Sequence, residues 1–283
     1  MNTEIYYFTG TGNSLFAAKE LKKRIPGAEL LPVVPLLKEE KVKSRGRVVG
    51  FVFPVHALTI PVVMSRFLKK IDLSEAEYIF AVATRYGTVF HGFKKMDRLL
   101  KKQRKRLDAG FVIDMCNNDT RHGKYTVPSK EEILAIENRT LERLDGAAEI
   151  ILERNSHSEN IKEHRIKSAS NPVSAFLTER LVTALIGLSE YGKGVNYFYH
   201  DDKCTGCGIC KKICPSRKIS IADGRPVWDR NTFCYMCFAC LNFCPAEAVQ
   251  IHDIPGVKSD SKENGRYPHP YATVSDMLLQ KGE

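Results

Sequence analysis

Eight of the nine cysteines lie between Cys204 and Cys244. They fall into two identical frames, C-x-x-C-x-x-C-x-x-x-C-P, displaced by 30 residues. The first holds Cys204, Cys207, Cys210 and Cys214 before Pro215; the second holds Cys234, Cys237, Cys240 and Cys244 before Pro245. Thiolates are soft metal ligands, and three of them at every third position let a short loop curl around one metal–sulfur core. The fourth, on the segment leaving the curl, points at the other core. On that rule one 4Fe-4S cluster takes Cys204, Cys207, Cys210 and Cys244, and a second takes Cys234, Cys237, Cys240 and Cys214. Zinc sites and disulfides are the alternatives. Zinc modules usually hold two cysteine pairs far apart, not four cysteines in a run closed by proline. Cysteine-rich chains without a secretory signal pattern favour metal or redox chemistry over disulfides.

The other stretch whose residue types suggest chemistry is FTGTGNS at 8–14, between the apolar run IYY and the helical pattern LFAAKELKKR. A dinucleotide fingerprint needs a third glycine three residues after Gly12, where Leu15 stands. A Walker loop starting at Gly10 needs Gly-Lys where Leu15 and Phe16 stand. A short hydroxyl-rich turn between strand and helix can still offer backbone N–H and Thr or Ser O–H groups to one terminal phosphate, aided by the helix N-terminus. An ordinary strand–helix turn is the reading without function.

Positioning these residues requires two different scaffolds. EIYYFT, AELLPV, RVVGFVF, EYIFAVAT and AGFVIDM read as strands, and helical spacing runs over 14–24, 61–70 and 89–105. Five strands with intervening helices predict an α/β fold, a doubly wound five-stranded parallel sheet in the order 2-1-3-4-5. Further helices are expected over 129–154, where Ser129 and Glu132 form a capping box, and over 173–188. KISIADGRPVWD reads as strand–turn–strand between the cysteine frames, and the tail after Asp253 as irregular chain wrapped back over a domain. These readings divide the chain into 1–160, a helical connector at 161–199, a cysteine domain at 200–254 and a tail at 255–283.

Residues 203–253 resemble the bacterial two-cluster ferredoxin family throughout, down to Gly206 and Gly208 in CTGCGIC and the AVQI after the last Cys-Pro. The resemblance implies a small α+β domain with two low-potential clusters, each passing one electron. T-G-T-G-N-S with Ala17 and Ala18 behind it resembles the phosphate loop of the flavodoxin family, which implies FMN. Carried over, Thr9, Gly10, Thr11, Gly12, Asn13 and Ser14 would hold its phosphate. The family meets the isoalloxazine from the loops after the third and fourth strands. Here that implicates Phe53, Pro54, Val55 and His56, then Thr84, Arg85, Tyr86 and Gly87. The switch-point rule for open α/β sheets brings these three loops to one strand edge. Aromatic rings often cover both flavin faces in that family; only His56 and Tyr86 stand near the expected places. The whole resembles the ferredoxins with an N-terminal flavodoxin-like domain, found in anaerobes.

Composition narrows what remains. A formal charge of +10 over 283 residues would ordinarily raise nucleic-acid binding. Two cluster-bound thiolate sets reduce it to roughly +6, which points to an acidic redox partner more than to DNA. The run KKMDRLLKKQRKR at 94–106 reads as a solvated amphipathic helix or as a docking face for such a partner. No apolar stretch is long enough to span a membrane, since Pro54 and Pro61 break 50–65, so a cytoplasmic protein is expected. Cys116 reads as an inert thiol near a strand end, with contact to the flavin edge by it or by Asn117 as the sharper idea. His122, His157 and His164 read as surface residues, and Trp228 as packing over a cluster. The expected function is electron transfer between two 4Fe-4S clusters and FMN. The alternatives are an FMN-dependent reductase of a small-molecule substrate fed by its own clusters and, remotely, a cluster-stabilised nucleic-acid-binding protein.

Overall fold

The computed structural model describes residues 2–56, 58–87, 90–121, 123–158, 197–253 and 258–283. The connector helix expected at 173–188 lies outside the described residues, as do His122 and His164.

The chain begins with β1 (Thr3–Tyr7), α1 (Asn13–Arg24), β2 (Ala28–Pro32), a single turn α2 (Val33–Leu36) and the two-residue β3 (Val42–Lys43). Then come β4 (Val48–Pro54), α3 (Val62–Lys70), β5 (Ile71–Asp72), β6 (Tyr78–Arg85), α4 (Gly92–Lys101), β7 (Ala109–Asp114), α5 (Lys130–Leu152) and β8 (His157–Ser158). One sheet takes the order β2-β1-β4-β6-β7-β8, parallel throughout, with β3 and β5 paired apart from it. Its first five members, counted in chain order, run 2-1-3-4-5, the doubly wound arrangement expected from the alternation of strands and helices. The sixth strand is an addition. Two residues carry no alternating pattern, so β8 left no trace in the sequence, and His157 lies in it with its ring stacked 4.8 Å from that of Phe111, not free on the surface.

Strands β4 and β6 are apolar on both faces because helices cover both. Tyr6, Phe8, Phe51 and Phe53 point to the side of α3 and α4; Ile5, Tyr7, Val48 and Val52 point to that of α1 and α5. The Ser129–Glu132 capping box starts α5 as expected.

A second, smaller unit follows: β9 (Phe198–His200), α6 (Ile209–Ile213), β10 (Ile219–Ala222), β11 (Arg225–Trp228), α7 (Ala239–Asn242) and β12 (Val249–Ile251). It holds two antiparallel pairs, β10 with β11 and β12 with β9, joined by the short helices. The tail is irregular over the described residues 258–272. It ends in α8 (Val274–Lys281), started by a Thr273–Asp276 capping box and stopped by Gly282 at φ 83°. Met277 of α8 packs with Ile213 and Ala239 of the second unit, and Lys19 on α1 pairs with Asp276 at 2.6 Å. The tail therefore wraps back and clasps both units.

Candidate functional site

The cysteine frames fold into two loops, each leading into a short helix. Cys204, Cys207, Cys210 and Cys244 line one cavity of about 340 Å³ including its mouth; Cys214, Cys234, Cys237 and Cys240 line another of about 320 Å³. Each loop thus supplies three thiols to its own cavity and a fourth, just past its helix, to the other. Among the described residues no group of three or more His, Cys, Asp or Glu side chains closes on a single ion. The sulfurs surround a volume instead, which suits a multi-iron core better than one tetrahedral zinc.

Burial makes these thiols poor acids on their own. It pushes Cys210 up to about 11, and the neighbouring Cys244, Cys207 and Cys204 add to the effect. Burial also pushes Cys234 up to about 11, against the counteracting Met236 backbone hydrogen bond and, less, the charge of Lys218, and raises Cys237 and Cys240 strongly. Four crowded thiols that resist ionising become stable thiolates only around a cationic core, so the donor set fits the iron–sulfur group. Trp228 and Phe198 form part of the second cavity's wall, their rings stacked 6.5 Å apart.

The glycine loop between β1 and α1 is buried from Thr9 to Ser14. Gly12, at φ 108°, stands at the N-cap of α1, and no side chain caps the helix. Its first amides have no partner within the helix by geometry, and here they are enclosed, which is the donor set that a phosphate dianion takes. The side chains around them are held in place. Ser14 Oγ and Thr84 Oγ1 are 2.7 Å apart, Gly12 N donates to Thr9 Oγ1 at 3.0 Å, and Asn118 Nδ2 donates to Thr11 Oγ1. Asn13 Nδ2 donates to the Cys116 carbonyl at 3.0 Å and leaves its buried Oδ1 without a partner. The amides and hydroxyls of the loop fit an anion; the Asn13 Oδ1, an acceptor, does not contribute to that fit.

Two neighbours of the loop come from far along the chain. Thr9 N donates to Gln280 Oε1 at 2.6 Å and Gln280 Nε2 donates back to the Thr9 carbonyl at 2.9 Å, while His269 N donates to the Thr11 carbonyl at 2.7 Å. A Cβ at position 10 would overlap the carbonyl oxygen of Cys237. Glycine is therefore required at 10 because the backbone of a cluster-cavity residue lies directly against it. Sequence reading found the loop but not its cover, since Gln280 and His269 carry no local signal linking them to residue 9.

The loops expected at the flavin ring meet at the same sheet edge. Val55 N donates to the Thr84 carbonyl at 2.8 Å, and His56 and Thr59 exchange backbone hydrogen bonds around Leu58, whose carbonyl receives His91 N at 2.9 Å. Arg85 Nε pairs with Asp114 at 2.8 Å, and Gly87 N donates to the same carboxylate at 3.2 Å. Phe53 is in the core beside Phe90, Pro54 ends β4, and Tyr86 is 57% exposed. His56 stands edge-on to Phe8, and Phe8 edge-on to Tyr235 of the second cysteine loop. Burial, then the charge of Arg121, pushes His56 down to about 4, so its imidazole is neutral at pH 7. Arg121 pairs with Asp119 and lies 4.8 Å over the Phe238 ring, fastening the sheet edge to the second loop. Cys116 is buried; it meets the glycine loop through its carbonyl, and Asn118 rather than Asn117 supplies the side-chain contact.

Residues 196–245 match the family model of the 4Fe-4S dicluster domain. An uncharacterised ferredoxin of Methanocaldococcus jannaschii is 27% identical over 73 residues, which is 22% of this chain and 86% of that one. Two solved structures align with the N-terminal half. The two-electron-reduced flavodoxin of Megasphaera elsdenii covers 52% of this chain and 98% of its own at 15% identity and a TM-score of 0.32. An FMN-dependent NADH-azoreductase of Bacillus anthracis in complex with FMN covers 52% and 97% at 10% identity and a TM-score of 0.34. The class is set by strand order and cysteine geometry: a flavodoxin-like parallel sheet followed by a small dicluster ferredoxin domain. Among the described residues no helix is long and apolar enough to cross a membrane.

Proposed function

We propose that the protein transfers electrons between two 4Fe-4S clusters and an FMN held on the glycine loop. The observation that supports this best is the seam at Gly10, where the loop suited to a phosphate lies against the backbone of Cys237. Residues Thr9 to Ser14 would hold the phosphate, the loops around His56 and Tyr86 would flank the ring, and the two cysteine sets would hold the clusters. When bound, each cluster exchanges one electron and the flavin one or two, so the pair couples one-electron carriers to a two-electron donor or acceptor.

The chain's own contribution is placement. Cys207 is exposed, so the first cysteine loop is the one that an outside carrier can reach. Cys237 and Tyr235 face inward, against the core of the sheet domain. We take the carrier to be a protein with an acidic docking face, met by the basic surface of α4 and the residues after it. Reduction of a small molecule at the flavin is the second reading. It is favoured by the exposure of Tyr86 and by the open space around Gly87.

Anaerobic reconstitution followed by iron, sulfide and flavin quantitation tests the proposal. About eight irons with one FMN per chain is the expected result. Zinc in place of iron, with no flavin retained, would overturn it.

A further inference from the structure

The two cysteine frames can be laid on each other residue for residue, and past the shared Cys-Pro they place a charged residue against an apolar one at one position buried in both. Cys214-Pro215-Ser216-Arg217-Lys218-Ile219 corresponds to Cys244-Pro245-Ala246-Glu247-Ala248-Val249. Lys218 and Ala248 are each only 1% exposed, so one repeat buries an ammonium where the other buries a methyl group. Lysine is almost never so buried without a partner.

The bonds that Lys218 makes are to neutral groups. Its Nζ donates to the backbone carbonyls of Asp229 and, at 2.7 Å, Thr232. Among the described residues no carboxylate comes within ion-pair distance of it, and the nearby Asp229 carboxylate, exposed to water, is the one that senses its charge. Its side chain is part of the wall of the cavity shared by Cys214, Cys234, Cys237 and Cys240. The cation near the first cavity is differently placed. Arg266 is buried close to Cys244, but the carboxylates of Glu247 and Asp201 share its surroundings and offset its charge. The second cavity therefore has a cation in its wall with one exposed carboxylate, that of Asp229, in reach, whereas the cation near the first cavity lies outside the wall between two carboxylates.

Reducing a cluster adds one negative charge to the site, and potential follows net charge, hydrogen bonding and solvent exposure. Exposure alone would make the first cluster easier to reduce, because Cys207 is exposed while Cys237 is partly buried against the sheet domain. An ammonium in a low-dielectric wall acts in the opposite direction and is poorly screened there. We propose that Lys218 reverses the order, making the cluster of Cys214, Cys234, Cys237 and Cys240 the higher-potential one of the pair. An electron accepted on the exposed side then comes to rest beside the glycine loop. One electron leaves a low-potential one-electron donor, which is oxidised, and one cluster is reduced; no bond breaks and no proton moves. The inference rests on the iron–sulfur reading above.

The test is a reductive titration of the full-length, iron-reconstituted chain, followed by electron paramagnetic resonance. Wild type is expected to reduce in two steps separated by at least a tenfold difference in equilibrium constant, or about 59 mV for one electron. Lys218→Met should close or invert that gap with iron and sulfide unchanged, and Lys218→Arg should retain it. A fully loaded Lys218→Met chain whose more positive step does not move down overturns the proposal. So does a wild-type chain whose clusters reduce together, which decides the matter even if Lys218→Met does not fold. Iron content separates the two levels: a wild-type chain without eight irons refutes the cysteine reading itself, and the proposal with it.

Discussion

The two cysteine loops follow the same backbone path with different residues. In the first, Gly206 and Gly208 take the left-handed conformation at φ 71° and 73°; in the second, Met236 and Phe238 take it at 52° and 58°. For a residue with a side chain that conformation costs about 1–2 kcal/mol. What offsets the cost at 238 is visible: the ring packs 5.7 Å from Phe198 and 6.3 Å from Tyr197, and carries the Arg121 guanidinium on its face. One copy of the duplication has kept bare glycine and an exposed cysteine. The other has taken on side chains that shut out water and bind it to the sheet domain. Duplication supplied two equivalent cluster loops, and their side chains then made one outward-facing and one inward-facing.

The largest effect that can break this comparison is loss of a crossover ligand. Cys214→Ala should remove about four of eight irons and erase the inward cluster, although Cys214 follows the outward loop. Retention of that cluster, by iron count and paramagnetic resonance, would show that the loops do not exchange ligands. Next is Phe238→Gly, which relieves backbone strain but deletes the ring. The ring is only half-buried, so its loss costs less than the about 3–5 kcal/mol of a fully buried Phe, and a net loss of about 1–2 kcal/mol is expected, read by denaturant unfolding. Met236→Gly, with less packing to lose, should stay within about 1 kcal/mol of wild type.

Gly10→Ala sharpens the inward half of the comparison. Its new methyl group meets the Cys237 carbonyl, so overpacking of about 1–3 kcal/mol is expected together with weaker flavin retention. Flavin content equal to wild type after gel filtration would argue against a shared seam.

Acid should act on the same seam. Burial pushes His269 down to about 4, as it does His56. With folded values below the unfolded 6.5, the unfolded chain binds more protons between these limits, so stability rises with pH across that window and is lost as pH falls from 6.5 toward 4. For the enclosed His269 the loss is held below about 3 kcal/mol by the Glu137 carboxyl, 3.5 Å from its Nε2. His269→Gln should flatten that part of a stability-versus-pH curve. The smallest effect is expected from Thr273→Ala, which removes the α8 cap for about 1 kcal/mol and should speed flavin dissociation modestly.

What was legible in the sequence was local. Eight cysteines at fixed spacing foretold two four-thiol sets, and strand–helix alternation foretold the 2-1-3-4-5 order, because each signal lies within a few dozen residues. The capping box at Ser129 was read from Ser and Glu three apart. The one at Thr273 uses Asp in that place and follows a Pro-rich stretch, so the sequence suggests irregular chain where α8 forms. The contact between Gln280 and Thr9 spans 271 residues and rests on one amide side chain, with no periodicity to announce it. Nor does an isolated lysine after Cys-Pro look buried until the strand behind it closes the cavity.

The seam at Gly10 has a consequence for assembly in the cell. If the loop that receives the nucleotide takes its shape partly from the polypeptide wrapped around iron, the two prosthetic groups cannot be acquired independently. On the proposed reading, a chain made under iron starvation would offer FMN an ill-formed cradle and remain colourless twice over, and metal supply would govern how much flavin it could hold.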